Sequence, residues 1–122
     1  MPTAEELKAI VREQYGTIAH QSPADNAASC CGAGPVSNKV YSIMMDDYTG
    51  TAGYAPEADL GLGCGLPVEH ALLKPWMTVL DLGSGAGNDC FVARHEVGAE
   101  GKVIGVDFTP AMLAKARANA EA

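Results

Sequence analysis

The chain has 122 residues, of which 48% are hydrophobic and 19% are charged, so it can form at most one globular domain with a single core. Its 14 glycines and 7 prolines are too few for a low-complexity or fibrous protein. Eight basic residues against 15 acidic ones give a net charge of −7. This charge argues against a nucleic acid or an anionic membrane as a partner.

The N-terminus and the cysteines indicate a compartment. The opening residues, MPTAEELKAI, lack the basic and then apolar pattern of a signal peptide. The apolar runs fall short of the roughly 20 residues that a membrane span needs. Four cysteines, at 30, 31, 64 and 90, include no CxxC pair. We therefore expect a cytoplasmic protein with free thiols.

The first half of the chain begins with a helix signal and continues into loops. Thr3 and Glu6 have the spacing of a capping box, and apolar residues then recur at helical spacing, which predicts an amphipathic helix from about residue 4 to residue 18. Residues 21–35 have the composition of a loop. Five acids and no base lie between residues 40 and 73, which is typical of a solvated acidic face.

The second half alternates strands and helices. Short runs of leucine and β-branched residues predict strands at 78–82 and 102–107, each buried on both faces. A helix is predicted at 68–73, with Pro67 in its first turn, and another at 88–97, ended by Gly98. A last helix is predicted after Thr109, which would cap it, and its inward-facing residues would be Met112, Leu113 and Ala116. This order is the opening of a parallel α/β sheet.

A glycine-rich turn after the first strand carries the strongest functional signal. Gly83, Gly85 and Gly87 let the backbone turn sharply and approach a ligand at the carboxyl end of a strand. Asp107 follows Gly85 by 22 residues, which is about the distance at which an acid reaches ribose hydroxyls. A dinucleotide fingerprint needs a small residue at position 88, where this chain has Asn88.

The acid in the same strand argues further against a pyrophosphate. Asp81 would repel phosphates, whereas it could orient a cationic or zwitterionic ligand. A cofactor with a ribose, an adenine, a sulfonium and an amino-acid tail fits such a site.

The segment from Leu80 to Gly87, together with Asp107, resembles the motifs of the class I S-adenosylmethionine-dependent methyltransferases. The resemblance implies an α/β, Rossmann-like fold, of which residues 76–122 would hold the first two βα units after a helical and loop extension at 1–75. It also implies S-adenosylmethionine as cofactor. The residues implied to bind it are Asp81, Gly83, Ser84, Gly85, Gly87, Asn88, Asp107, Phe108 and Met112, the phenylalanine and methionine near the adenine.

The cysteines suggest the acceptor. Cys64 lies between glycines in a turn, where a thiol is placed for soft-metal binding or thiol exchange, and Cys30 and Cys31 lie in a loop. Cys90 lies in a predicted helix and is expected to pack against the sheet. Two small buried apolar side chains are the alternative interpretation of the adjacent pair.

The segments 11–16, 29–32, 59–67, 82–93 and 101–107 together are similar to the arsenite methyltransferases. This resemblance implies that Cys64 and either Cys30 or Cys31 bind trivalent arsenic, act in catalysis and exchange disulfides with two later cysteines. Gly61 and Leu62 stand where some relatives have an aromatic pair, so a contact to the sulfonium would come from elsewhere, with Tyr41, Tyr48 and Tyr54 as candidates.

The implied function is methyl transfer to arsenite in arsenic detoxification, with arsenite presented as a thiol complex and a reductant such as thioredoxin or glutathione. Two alternatives stay open, namely a methyltransferase for a small organic acceptor and a non-catalytic fragment that binds cofactor or thiols. A Rossmann-like methyltransferase ordinarily has seven strands. We therefore expect these 122 residues to be the N-terminal part of a larger enzyme and to be inactive alone.

Overall fold

The computed structural model describes residues 1–23, 25–26, 48–61 and 65–122. The helices and strands with bounds in this part of the chain are, in order, α1 (Ala4–Ile18), α2 (Pro67–His70), β1 (Thr78–Leu82), α3 (Asn88–Val97), β2 (Lys102–Val106) and α4 (Pro110–Glu121), with a short 3₁₀ turn at Pro56–Ala58 before α2. The two strands are parallel neighbours joined through α3, which confirms the predicted α/β class. Most of the loop predicted at 21–35 lies outside the described residues.

Helix α1 begins where the capping box predicts. The Thr3 hydroxyl accepts a hydrogen bond from the Glu6 backbone N–H at 3.3 Å, and the Glu6 carboxylate accepts one from the Thr3 N–H at 2.7 Å. The apolar stripe is less buried than its periodicity suggests, because Leu7 and Ile10 are 49% and 54% exposed while Ile18 is buried. The helix packs against α4, and Ile18 at its carboxyl end joins the core.

One face of the sheet is exposed, and the opposite face is partly buried. Leu80 pairs with Ile104 and Leu82 with Val106, so these four side chains share a face, and Leu80 and Leu82 are 58% and 74% exposed. The prediction that both strands are buried on both faces is therefore wrong for this face. The reason is that α3 packs against both strands from the opposite side.

The core lies directly beneath the glycine-rich turn. It joins the end of α1, the loop before α2, the turn itself and α4 through Ile18, Ala19, Leu60, Ala86 and Met112. The first turn of α4 is thereby fixed against the turn that follows β1. Among the helices in the described part of the chain, none is long and apolar enough to cross a membrane.

The tight connection between α3 and β2 depends on Gly101. A Cβ there would lie 2.4 Å from the Cβ of Val97 and 2.7 Å from its carbonyl oxygen, and Val97 is fully buried. Because neither atom is at the flexible end of a side chain, we expect Gly101→Ala to lower the free energy of unfolding by about 1–3 kcal/mol in urea denaturation. Gly50→Ala is the control, since a Cβ at Gly50 would meet no atom within 4 Å in the part of the chain that the structure describes. Equal stabilities of the two variants would contradict this account.

Candidate functional site

The turn after β1 has the conformation that its glycines suggest. Gly83, Gly85 and Gly87 have φ angles of +76°, +54° and +98°, a region that costs other residues roughly 1–2 kcal/mol. The backbone N–H groups of Gly83 and Ser84 both donate to the carbonyl of Val106, at 2.7 and 3.0 Å. The turn therefore folds over the carboxyl end of β2. A Cβ on Gly83 would meet no atom of the described residues within 4 Å, which leaves space beside this part of the turn for a ligand.

Asp107 connects this turn to the next helix. One carboxylate oxygen accepts from the Gly85 N–H at 2.9 Å, and the other accepts from the Thr109 N–H at 2.8 Å. A carboxylate has about four acceptor positions, so it can still accept hydrogen bonds from ribose hydroxyls.

The cap predicted for Thr109 is wrong in its detail, because the Thr109 side chain is buried and makes no capping hydrogen bond. The signal for the actual contact was an aspartate two residues before that N–H, the spacing of an Asx turn.

Asn88, the first residue of α3, presents an unsatisfied acceptor. Its Oδ1 is buried and has no hydrogen-bond partner among the residues that the structure describes. Buried polar atoms are nearly always paired in native proteins, so a lone acceptor beside a glycine-rich turn fits a ligand that carries a donor.

Asp81 and Ser84 lie on the side of the turn that faces α3. Asp81 is partly buried, and its Oδ2 accepts a hydrogen bond from the Cys90 thiol at 3.3 Å. Gly105 of β2 lies against Ser84 and Cys90, since a Cβ at that glycine would come within 2.8 Å of the Ser84 Oγ and 2.9 Å of the Cys90 Sγ. The expectation that Cys90 packs against the sheet is confirmed.

The two residues proposed for the adenine lie in different surroundings. Phe108 is 49% exposed, and the Arg12 guanidinium of α1 lies 5.4 Å from its ring centroid, a cation–π distance. Met112 is 2% exposed and belongs to the core beneath the turn, where its sulfur would lie 4.0 Å from a Cβ placed on Gly85. Their contacts to adenine stay predictions.

Cys30, Cys31 and Cys64 lie outside the described residues, as does Tyr41. The structure does describe both flanks of the turn that carries Cys64. On one side the Gly61 N–H donates to Asp59 at 2.9 Å. On the other, the Gly65 carbonyl accepts from the Tyr48 hydroxyl at 2.6 Å.

Two stacked tyrosines connect these flanks to α3. The rings of Tyr48 and Tyr54 lie 6.5 Å apart with a 17° interplanar angle, and the Tyr54 hydroxyl donates to Asp59 at 3.0 Å. The Tyr48 hydroxyl also lies 2.9 Å from an oxygen of Asp89, in the first turn of α3. These tyrosines were predicted as candidate contacts to a sulfonium, and the structure shows hydrogen bonds from their hydroxyls that the sequence did not reveal.

An open pocket of about 410 Å³ lies between α2 and α3. Its lining includes the carboxylates of Glu69, Asp89 and Glu96 and the apolar side chains of Leu66 and Val92. The residues predicted to bind the cofactor are not among those that line it.

The ionised carboxylate of Asp89 lowers the free energy of unfolding, because it is half-buried. Burial raises the pKa of its carboxyl above the ordinary 3.8, the Tyr48 hydrogen bond opposes the rise, and the charge of Asp81 adds to it. As pH rises through 3.8, the Asp89 carboxyl loses its proton in the unfolded chain before it does so in the folded protein. The free energy of unfolding therefore falls until Asp89 of the folded protein has also ionised.

We expect Asp89→Asn to be more stable than the wild type at pH 7, because the amide removes the buried charge and keeps the acceptor for Tyr48. The difference in urea midpoint should shrink as pH falls toward 3.8. Exposed Asp25→Asn is the control for a lost surface charge. An Asp89→Asn variant that is less stable at pH 7 would show that the carboxylate is needed for folding.

Comparison with known proteins agrees with this geometry. Residues 73–122 match a family model described as a methyltransferase domain. The arsenite methyltransferase of Halobacterium salinarum is 44% identical over 94% of this chain and 32% of its own length. Those of Aquipseudomonas alcaligenes and Mus musculus are 37% and 31% identical, over 89% and 93% of this chain and 29% and 28% of their own lengths.

The chain spans about a third of the length of these curated relatives. No solved structure matches it. The glycine-rich turn held by Asp107 agrees with the match of residues 73–122 to a methyltransferase domain, and the chain is similar to arsenite methyltransferases along nearly its whole length.

Proposed function

We propose that this protein acts in methyl transfer from S-adenosylmethionine to trivalent arsenic. The observation that carries the cofactor assignment is the bond from the Gly85 N–H to Asp107, which joins the turn after β1 to the end of β2. The similarity to arsenite methyltransferases over 94% of the chain supports the acceptor. The division into an extension at 1–75 and a cofactor domain at 76–122 belongs to the same proposal.

The chain's own groups fit a cationic nucleoside cofactor. Asp107 is placed to accept the ribose hydroxyls, and Asp81 and the lone acceptor of Asn88 favour an ammonium or sulfonium over a phosphate. Gly83 leaves open space where the ligand would approach the backbone. When bound, S-adenosylmethionine supplies a methyl group on an electrophilic sulfonium.

The thiols provide the chemistry for arsenic. Trivalent arsenic is soft, so Cys64 and either Cys30 or Cys31 would replace oxygen ligands on it, with the oxygens leaving as water. With arsenic held in this way, its lone pair would be free to form the As–C bond with the methyl group, and the sulfonium sulfur of the cofactor would keep the electron pair of the broken S–C bond. Positioning is the protein's main contribution, since no proton has to be removed in this step.

Reduction completes the cycle. Methyl transfer leaves arsenic formally pentavalent, and two thiols that close into a disulfide supply the two electrons that return it to the trivalent state. Thioredoxin or glutathione would restore the thiols, and arsenite would arrive as a thiol complex. We place this detoxifying reaction in the cytoplasm, where thiols stay reduced, and the net charge of −7 argues against nucleic acid or membrane as a partner.

Calorimetric titration with S-adenosylmethionine tests the cofactor assignment. We expect saturable binding of one molecule per chain, and an absence of binding would overturn the proposal. A second candidate function is binding of the cofactor without turnover. Transfer of labelled methyl groups to arsenic would exclude this candidate, and transfer to a small organic acceptor instead would overturn the arsenic assignment.

A further inference from the structure

Cys90 has an unusual setting for a cysteine in the first turn of a helix. A helix N-terminus ordinarily lowers a thiol pKa and activates the sulfur. Here burial, followed by the charge of Asp81, the hydrogen bond to Asp81 and the charge of Asp89, raises the pKa of Cys90 to about 12, and the hydrogen bond with Ser84 opposes this rise. Cys90 therefore keeps its proton at neutral pH and is a poor nucleophile.

That proton has a defined acceptor. The Cys90 Sγ donates to Oδ2 of Asp81 at 3.3 Å, within the range for a sulfur donor. The second oxygen, Oδ1, has no protein donor among the residues that the structure describes. One oxygen of Asp81 is thus held from α3, which leaves the other to accept hydrogen bonds from a ligand.

The packing around this bond leaves little room for another arrangement. Gly105 is paired with Asp81 across the sheet, and a Cβ at Gly105 would lie 2.9 Å from the Cys90 Sγ and 2.8 Å from the Ser84 Oγ. Because Gly105 has no side chain, the Cys90 thiol can pack against the strands and donate its hydrogen bond to Asp81.

We propose that Cys90 is a positioning residue, which fixes the Asp81 carboxylate toward the cofactor by donating its S–H proton from α3. This inference rests on the proposed function, in which Asp81 faces the cationic part of S-adenosylmethionine. Cys90 itself contacts neither the cofactor nor arsenic, and this separates its role from those of the other three cysteines.

The first test is a double-mutant cycle on the affinity for S-adenosylmethionine, measured by calorimetry. Cys90→Ala removes the donor and is expected to weaken binding about five- to tenfold, while Cys90→Ser keeps a donor and restores most of the affinity. In an Asp81→Ala background, Cys90→Ala should have no further effect. Equal affinities of Cys90→Ala and wild type, or an undiminished loss in the Asp81→Ala background, would overturn the proposal.

The second test needs no ligand. The infrared S–H stretching band of Cys90 is obtained as the difference between the spectra of the wild type and Cys90→Ala. We expect this band at the frequency of a hydrogen-bonded thiol. In Asp81→Ala it should shift to the frequency of a free thiol. An unshifted band would overturn the hydrogen bond. If the wild type fails to bind S-adenosylmethionine, the proposed function falls, and the infrared band still decides whether Cys90 holds Asp81. Urea denaturation of each variant confirms that it is folded.

Discussion

Asp107→Ala is expected to weaken the binding of S-adenosylmethionine about 100-fold, because hydrogen bonds to a charged group contribute about 1.5–3 kcal/mol each. The substitution removes the acceptor for the ribose hydroxyls. It also frees the N–H groups of Gly85 and Thr109, which the carboxylate now holds at 2.9 and 2.8 Å. The turn and the start of α4 therefore lose their common anchor, and we expect a lower free energy of unfolding as well. Calorimetric titration and urea denaturation measure the two effects.

Two further variants separate these contributions. Asp107→Asn keeps an acceptor oxygen at nearly the same place and should lose less affinity than Asp107→Ala. Glu100→Ala removes one negative charge before β2, at the opposite end of the strand from Asp107, and should bind like the wild type. If Asp107→Ala binds as tightly as Glu100→Ala, the cofactor does not use this edge of the sheet.

Cys64→Ser is expected to weaken arsenite binding by about 10²–10⁴-fold, because it converts attachment through two linked thiolates into attachment through one. Serine is nearly isosteric with cysteine, but its hydroxyl is a hard, protonated ligand with little affinity for a soft centre. Calorimetric titration with arsenite measures the loss. The same variant should keep its affinity for S-adenosylmethionine, which serves as the control for folding.

The single variants Cys30→Ser and Cys31→Ser identify the partner thiol. The one that pairs with Cys64 should show a comparable loss, and the other should bind arsenite like the wild type. Unchanged arsenite affinity in Cys64→Ser would show that this thiol is not an arsenic ligand and would favour the organic acceptor.

Sequence patterns predicted the local elements well because their determinants are local. The capping box of Thr3 and Glu6 lies within one turn, and the structure begins α1 at Ala4. Gly98 ends α3 as expected, and β1 has the predicted bounds. The helix predicted at 68–73 ends earlier, at His70, and the second strand ends one residue earlier, at Val106.

The contacts that shape the site are long-range and carry little sequence signal. The spacing of Asp107 predicted a ribose ligand, but its bond to Gly85 depends on how the turn folds over β2. The bond from Cys90 to Asp81 likewise depends on the side of the sheet that α3 covers. Periodicity cannot tell whether an apolar face has a partner, which is why Leu80 and Leu82 were expected to be buried and are exposed.

Titration of the four thiols with and without arsenite, in protein saturated with S-adenosylmethionine, measures whether thiolates of this chain bind arsenic. We expect arsenite to protect two thiols, Cys64 and one of Cys30 and Cys31. Cys90 should react slowly, and only at alkaline pH, whether or not arsenite is present. Protection of no thiol would contradict the assignment of arsenic as the methyl acceptor.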